Sequence, residues 1–429
     1  MASLIGSNQP LQRKGLITPA RVLFFTLCAT LLPAEPFSAL AAGLYFLYAL
    51  QSSPQANARA ANLYLPFVLM AAYALLVAGD NEKYLAAKDA WYAFKLCICL
   101  GLGYLLGYST DSSMPVLKGI VLFSTLSAAL VVGVFFIFGI TPLAPGQADA
   151  SVFRLPLVSV AALPVLLEQL KGTSGSRRAS TGGQLCLLLV AILVSDSRVT
   201  ILSALAMVLA WLGYLANTRK AIVGVLVFGA FIAAIWQVLP EYNGGPLTLA
   251  VKLRRSLDEV LLTDGFDPTQ MLLNWRGFEA YNAQLMFDNA SLGRKLFGHG
   301  LGAAVDLGTT IDIGGDEPFR FLPILHNGFY NVLIKYGIVG VGIYTVAVLR
   351  LALMGMAVDG RGLLEDRILR GLIIVVLLST AVITGLYNKS VLHGVELIIA
   401  WAIGLLSRYK ETMRTLPAPS GVSDIPRSA

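Results

Sequence analysis

The chain has 429 residues, of which 56% are hydrophobic and only 13% charged, with a formal net charge of +7 and a mean hydropathy of +0.71. Soluble domains carry roughly 25% charged residues, so this share leaves too little polar surface to face water, and a water-soluble globular fold is excluded. The basic excess is scattered between apolar runs, which fits the positive-inside bias of membrane proteins and not a nucleic-acid-binding patch.

A hydrocarbon core of ~30 Å asks for about 20 apolar residues per helix, or roughly 17 when short. Runs of that kind fall near 16–33, 36–52, 61–79, 92–110, 116–140, 153–170, 183–197, 199–217, 221–239, 328–350, 367–386 and 394–408. The first follows Arg13, Lys14 and Arg21 without a small-residue cleavage pattern, so it is expected to remain as a span. A cytoplasmic N-terminus puts Arg13, Lys14, Arg59, Lys171, Arg177, Arg178, Arg219, Lys220, Arg361, Arg367, Arg408, Lys410 and Arg414 on the inner side. Short outer loops then keep only a few basic residues, including Lys83, Lys88, Arg198 and Lys389. Both termini are therefore expected in the cytoplasm. Cys28, Cys97, Cys99 and Cys186 all lie in apolar stretches, where neither a disulfide framework nor a zinc site is expected.

Between the ninth and tenth runs, residues 240–327 are polar enough to be solvated, and a connection of this length calls for a purpose. Leu249, Leu253, Leu257, Val260 and Leu261 share one helical face, which predicts an amphipathic helix lying in the interface or on the bundle. A second helix is predicted from about Pro268 to Asn289, followed by glycine-rich turns at 298–302 and 314–315. The fold class expected is an all-α polytopic membrane helix bundle with about 12 transmembrane helices and one large helical periplasmic loop. Its parts are an N-terminal bundle over 1–239, the loop over 240–327, C-terminal spans over 328–408, and a disordered cytoplasmic tail over 409–429.

Only three histidines occur, His299, His326 and His393, and all map to the outer side. His326 stands immediately before the tenth run, where an imidazole can serve as a general base toward a substrate outside the membrane. Arg198 follows Ser195-Asp196-Ser197 at an outer turn, near membrane depth, where a guanidinium usually faces a cavity or a partner such as Asp196. Arg276 lies on the predicted second loop helix. Two planar, permanently charged forks suit a diphosphate better than lysines would. One base and two such cations are what glycosyl transfer from a polyprenyl diphosphate sugar requires, because the diphosphate already leaves well and no general acid is needed. Glycoside hydrolysis would call for a carboxylate pair. The loop carboxylates Asp264, Asp267, Asp312, Asp316 and Glu317 are dispersed among turn glycines and read as turn formers. No Walker-type phosphate loop occurs, and Gly298, Gly300 and Gly302 do not extend to a dinucleotide fingerprint because position 305 is Val.

His326-Asn327 followed by nine residues and then Gly337 and Gly340 resembles the histidine motif of lipopolysaccharide O-antigen ligases. Ser197-Arg198, Trp275-Arg276 and Gly298-His299-Gly300-Leu301-Gly302 resemble further elements of that family in the same order. The resemblance implies an inverting transfer of O-antigen from undecaprenyl diphosphate to the lipid A–core at the periplasmic face of a Gram-negative inner membrane. It implies no metal, no nucleotide cofactor and no nucleic acid, with membrane lipid as the surrounding partner. It implies His326 as the base, Arg198 and Arg276 as diphosphate-binding cations, Asn327 as part of the substrate-binding motif, and His299 as a loop-shaping residue. Lys83, Lys88, Tyr387, Lys389 and His393 flank outer loops and are candidates for binding anionic groups of the acceptor, Lys389 first among them. O-antigen polymerases, which show Arg-x10-Gly elements such as Arg254 and Gly265, and protein O-oligosaccharyltransferases share the chemistry. A transporter of the lipid-linked oligosaccharide would instead need ionisable residues deep in several spans, for which Arg21, Lys95, Lys118 and Lys335 are candidates that can snorkel.

Overall fold

A computed structural model describes residues 18–32, 34–79, 81–138, 155–195, 197–215, 274–312, 318–356, 363–387 and 392–415, with isolated positions between 223 and 254. The described helices in chain order begin with α1 (Pro19–Ala29), α2 (Ala34–Gln51), α3 (Pro54–Val77), α4 (Lys83–Tyr108) and α5 (Ser113–Phe138). A 3-10 turn at Leu157–Ala161 leads into α6 (Ala162–Gly172), followed by α7 (Gly175–Val194) and α8 (Arg198–Trp211). After the long loop's α9 (Trp275–Asp288) and α10 (Leu292–Phe297) come strands β1 (Val305–Ile311) and β2 (Phe319–Leu322). The chain then forms α11 (Gly328–Met356), α12 (Leu364–Val382) and α13 (His393–Thr415).

The chain is mostly helical, and five described helices are long and apolar enough to cross a membrane: Pro54–Val77, Lys83–Tyr108, Ser113–Ile137, Gly175–Val194 and Gly328–Met354. This is a helical membrane protein. More than half of the ninth apolar run and most of the amphipathic stretch 249–261 fall outside the described residues. Two departures from the sequence reading are plain. The loop contains an antiparallel β1–β2 pair, with Val305 opposite Leu322 and Asp306 opposite Phe321, so the fold is not purely helical. Helices also outrun their apolar cores: α3 starts at Pro54, where the Ser53 hydroxyl accepts from the Ala56 N–H and proline occupies the first turn.

Packing fixes which ends of the helices coincide. On α4, Gly103 and Gly107 let the backbone of α13 approach closely, and a Cβ on Gly103 would fall 2.9 Å from the Cβ of Ala400. Gly404 reciprocates against Tyr104, so α4 and α13 run parallel through a small-residue seam of the kind that joins membrane helices. Helix α12 runs antiparallel to α8, because the Arg367 and Arg370 guanidiniums donate to the Trp211 and Leu215 carbonyls at 3.0 and 2.8 Å. One end of the bundle therefore gathers the α3–α4 turn, the start of α8, the end of α12 and the start of α11. The opposite end holds the Arg59–Glu411 pair, with the Tyr108 hydroxyl donating to Glu411 at 2.6 Å, and the Arg408–Asp111 pair.

Candidate functional site

Two buried backbone devices shape the site end. Helix α11 breaks at Gly337, whose φ of 66° is left-handed and costs other residues strain. Next to the break, the Ile334 and Lys335 carbonyls accept hydrogen bonds from the His299 and Gly300 N–H groups at 2.8 and 3.1 Å. The segment Gly298–Gly302 thus docks against the kink, and its three glycines all have positive φ (79°, 85° and 80°). Its other contacts reach the α3–α4 corner. The Asn81 amide donates to the His299 and Leu301 carbonyls at 2.7 and 2.9 Å, and the Gly302 N–H donates to Asp89 at 2.7 Å. Asp89 also holds the Lys335 ammonium at 2.6 Å, with both side chains buried. Burial, and then the Arg294 guanidinium, lower the His299 imidazole from its ordinary value of 6.5.

The start of α11 carries the second device. Asn327 Oδ1 accepts from the Phe329 and Tyr330 N–H groups at 3.0 and 3.3 Å, an N-cap that fixes the entry of the helix. The Gly328 N–H donates to the Ile383 carbonyl at 2.9 Å, which ties this entry to the end of α12.

His326, one residue earlier, is clamped from the other side by Glu279 of α9. Its backbone N–H donates to Glu279 Oε2 at 2.8 Å, and its ring Nδ1 lies 2.8 Å from Oε1. Glu279 is 1% exposed, whereas the His326 side chain is 48% exposed. An ionised carboxylate only accepts, so Nδ1 is the donor of this pair, and in a neutral ring Nε2 then presents its lone pair. Arg276 stands three residues before Glu279 on α9, on the same helical side, and is half-buried. Hydrophobic contacts of α9 hold the hairpin: Phe278 packs with Leu307 and Ile311, and Trp275 meets Phe319 edge-on at 6.1 Å.

Arg198 is the first residue of α8, after the Ser197 cap, and is also half-buried. Met207 and Ala210 on α8 abut Gly371 on α12. Nine residues from Met207 and from Gly371, about 13 Å by helical rise, lie Arg198 and Thr380 respectively. A Cβ on Gly328 would meet the Thr380 carbonyl at 2.9 Å, so Arg198 stands level with the entry of α11. The structure thus brings His326, Asn327 and Arg276 into one neighbourhood and sets Arg198 at the same end and depth. Asp196 and Lys389 lie outside the described residues, as do Asp264, Asp267, Asp316 and Glu317, while Asp312 is exposed.

Other outer-loop candidates are placed differently from the sequence reading. Tyr387 is buried and stacks on Tyr336 with ring centroids 5.5 Å apart. His393 is buried and stacks on Phe37 at 5.0 Å. Both are packed inside the bundle, Tyr387 in the buried turn Gly385–Tyr387 and His393 at the start of α13. Lys83 is exposed and Lys88 half-buried. Lys95 and Lys335 do not snorkel, being 1% and 3% exposed. Among the described residues, Cys99, His393 and Glu396 are a buried group able to hold a metal ion, with ligand atoms within 4.8 Å of one another.

Glu279, like Asp89, is a residue that sequence reasoning missed. Its signal was a single acid inside the apolar run Phe278-Glu279-Ala280, one turn after Arg276. Nothing in the spacing announces a partner 47 positions away. No family model matches this chain, and no curated protein matches it.

Proposed function

We propose that this chain is an O-antigen ligase, moving O-antigen from undecaprenyl diphosphate to a hydroxyl of the lipid A–core at the periplasmic face of a Gram-negative inner membrane. The observation that carries the reading is the half-exposed His326 ring held by Glu279, which stands one turn of α9 from Arg276, at the end of the bundle where Arg198 begins α8.

In this reading the acceptor hydroxyl gives its proton to His326 Nε2 as its oxygen attacks the anomeric carbon of the donor. The anomeric C–O bond breaks, and its electron pair leaves with undecaprenyl diphosphate. A single displacement inverts the anomeric centre. Arg198 and Arg276 neutralise the charge that develops on the diphosphate, where bidentate forks act best. An apolar groove of about 620 Å³ between α2, α3 and α4, lined by Phe46, Val68, Ala72 and Phe94 and ending at Leu301, suits the isoprenoid chain of such a donor. The twelve-span topology, the cytoplasmic termini, the periplasmic loop and a contact of Lys389 with the acceptor belong to the same proposal.

The buried Lys95 and Lys335 favour one competing reading, transport of the same lipid-linked oligosaccharide, since intramembrane ionisable residues mark transport paths. The purified protein in vesicles with one lipid-linked glycan and three acceptors separates these functions. Lipid A–core is expected to be glycosylated. Product on a second lipid-linked glycan would identify a polymerase, and product on a peptide a protein O-oligosaccharyltransferase. Movement of the donor between leaflets with no product on any acceptor would identify a transporter.

A further inference from the structure

We infer that Glu279 is a positioning residue that dictates which ring nitrogen of His326 carries the proton, an inference that rests on the glycosyl-transfer reading only for its effect on turnover. The two oxygens of one buried carboxylate are both committed to the same residue: Oε2 to the His326 backbone N–H and Oε1 to its Nδ1, each at 2.8 Å. The backbone N–H is always a donor. The ring nitrogen is a donor only because it too faces a carboxylate oxygen, which in the neutral ring leaves Nε2 deprotonated at its half-exposed edge. The arrangement spans three elements, since α9 supplies Glu279, the segment after β2 supplies His326, and the end of α12 holds Gly328 in place. Both the direction of the ring and its tautomer are therefore set before any substrate arrives.

This geometry gives Glu279→Gln a specific consequence. Glutamine has the same shape but only one acceptor oxygen. The backbone N–H claims that oxygen, because it has no other way to be satisfied at this position. The glutamine NH2 then faces Nδ1, which must become an acceptor, and the proton moves to Nε2. A ring in that tautomer cannot take a proton from a hydroxyl through Nε2. Glu279→Asp keeps two acceptor oxygens and retreats by one methylene, so it preserves the tautomer while loosening the hold.

The test is 15N NMR of the full chain in nanodiscs with 15N-labelled histidine, His326 being assigned by its disappearance in His326→Gln. The wild type is expected to show protonated Nδ1 and bare Nε2 at His326, Glu279→Asp the same, and Glu279→Gln the reverse. Turnover with undecaprenyl-diphosphate-linked glycan and lipid A–core is measured alongside. Glu279→Gln is expected to lose on the order of 10²- to 10⁴-fold in kcat, as wrong-tautomer histidines do, with KM little changed and much of the rate restored in Glu279→Asp. A wild-type ring protonated on Nε2, or a Glu279→Gln ring that keeps its proton on Nδ1, would overturn the inference. The predicted tautomers in a protein that transfers no glycan would uphold the role of Glu279 and reject the functional reading.

Discussion

Among the described residues are two histidine–glutamate pairs, and their contrast separates chemistry from packing. His326 and Glu279 come from separate elements, meet through two hydrogen bonds of 2.8 Å, and leave the ring half-exposed. His393 and Glu396 are three residues apart on one helix, meet at 3.5 Å, and are 3% and 1% exposed. Arg276 stands one turn from Glu279, and Arg198 begins α8 at the same end of the bundle. Beside the second pair stand Phe37, Cys99 and the seam between α4 and α13. The residue types are the same, but only the first pair has a ring edge that an incoming hydroxyl can reach. Position in the fold, not composition, decides which histidine can exchange a proton with a substrate.

The contrast is sharpened most by removing the two arginines at the first pair's end of the bundle. Replacing Arg198 and Arg276 together by Ala is expected to reduce transfer at least ~10³-fold, given that a single transition-state donor contributes on the order of 10²- to 10³-fold. Either single Lys replacement is expected to lose most of the activity because the bidentate fork is lost. Full activity in either Lys variant would show that a point charge suffices.

Next in size is a structural effect below the first pair. Asp89→Ala leaves the Lys335 ammonium buried without its carboxylate and frees the Gly302 N–H. Breaking a buried pair in this way costs about 3–5 kcal/mol, to be read as a drop in unfolding midpoint. An unchanged midpoint would mean that the Gly298–Gly302 segment is not clamped through Asp89.

A smaller change tests the cap. Asn327→Ala removes the acceptor for the Phe329 and Tyr330 N–H groups and is expected to cost about 1 kcal/mol of stability. A loss of transfer much larger than that destabilisation explains would assign Asn327 to substrate as well as to the helix.

The smallest effect is pH-linked. Burial keeps the His299 imidazole below its ordinary 6.5, so the unfolded chain takes up a proton there before the folded chain does. This contribution to stability is complete above about pH 6.5 and is lost as pH falls toward the depressed folded value. In His299→Gln the midpoint is expected to fall less over that window. An equal fall in both proteins would remove His299 from the account.

Much of the scaffold was legible in the sequence because apolar run length reports on bilayer-facing helices. The ruler fell short where helices continue past their apolar cores, as α4 does by starting at Lys83 with the buried Asp89 in its second turn. It could not foresee the β1–β2 pair, since Val305–Ile311 and Phe319–Leu322 are short strands. His326, Arg198 and Arg276 stood out because histidine is scarce and arginine is costly near a membrane. Glu279 and Asp89 did not, because each acts through a partner distant in sequence. The spacing from His326 to Gly337 gains a physical reason only in three dimensions, as the length of helix from the capped entry to the kink that seats Gly298–Gly302.

The most direct measurement compares single-turnover transfer by His326→Ala and His393→Ala in vesicles, at matched folded abundance. The account predicts that His326→Ala loses transfer by on the order of 10²- to 10⁴-fold while the donor still binds, and that folded His393→Ala retains it. Transfer at the wild-type rate by His326→Ala, or an equal collapse in both variants, would contradict it.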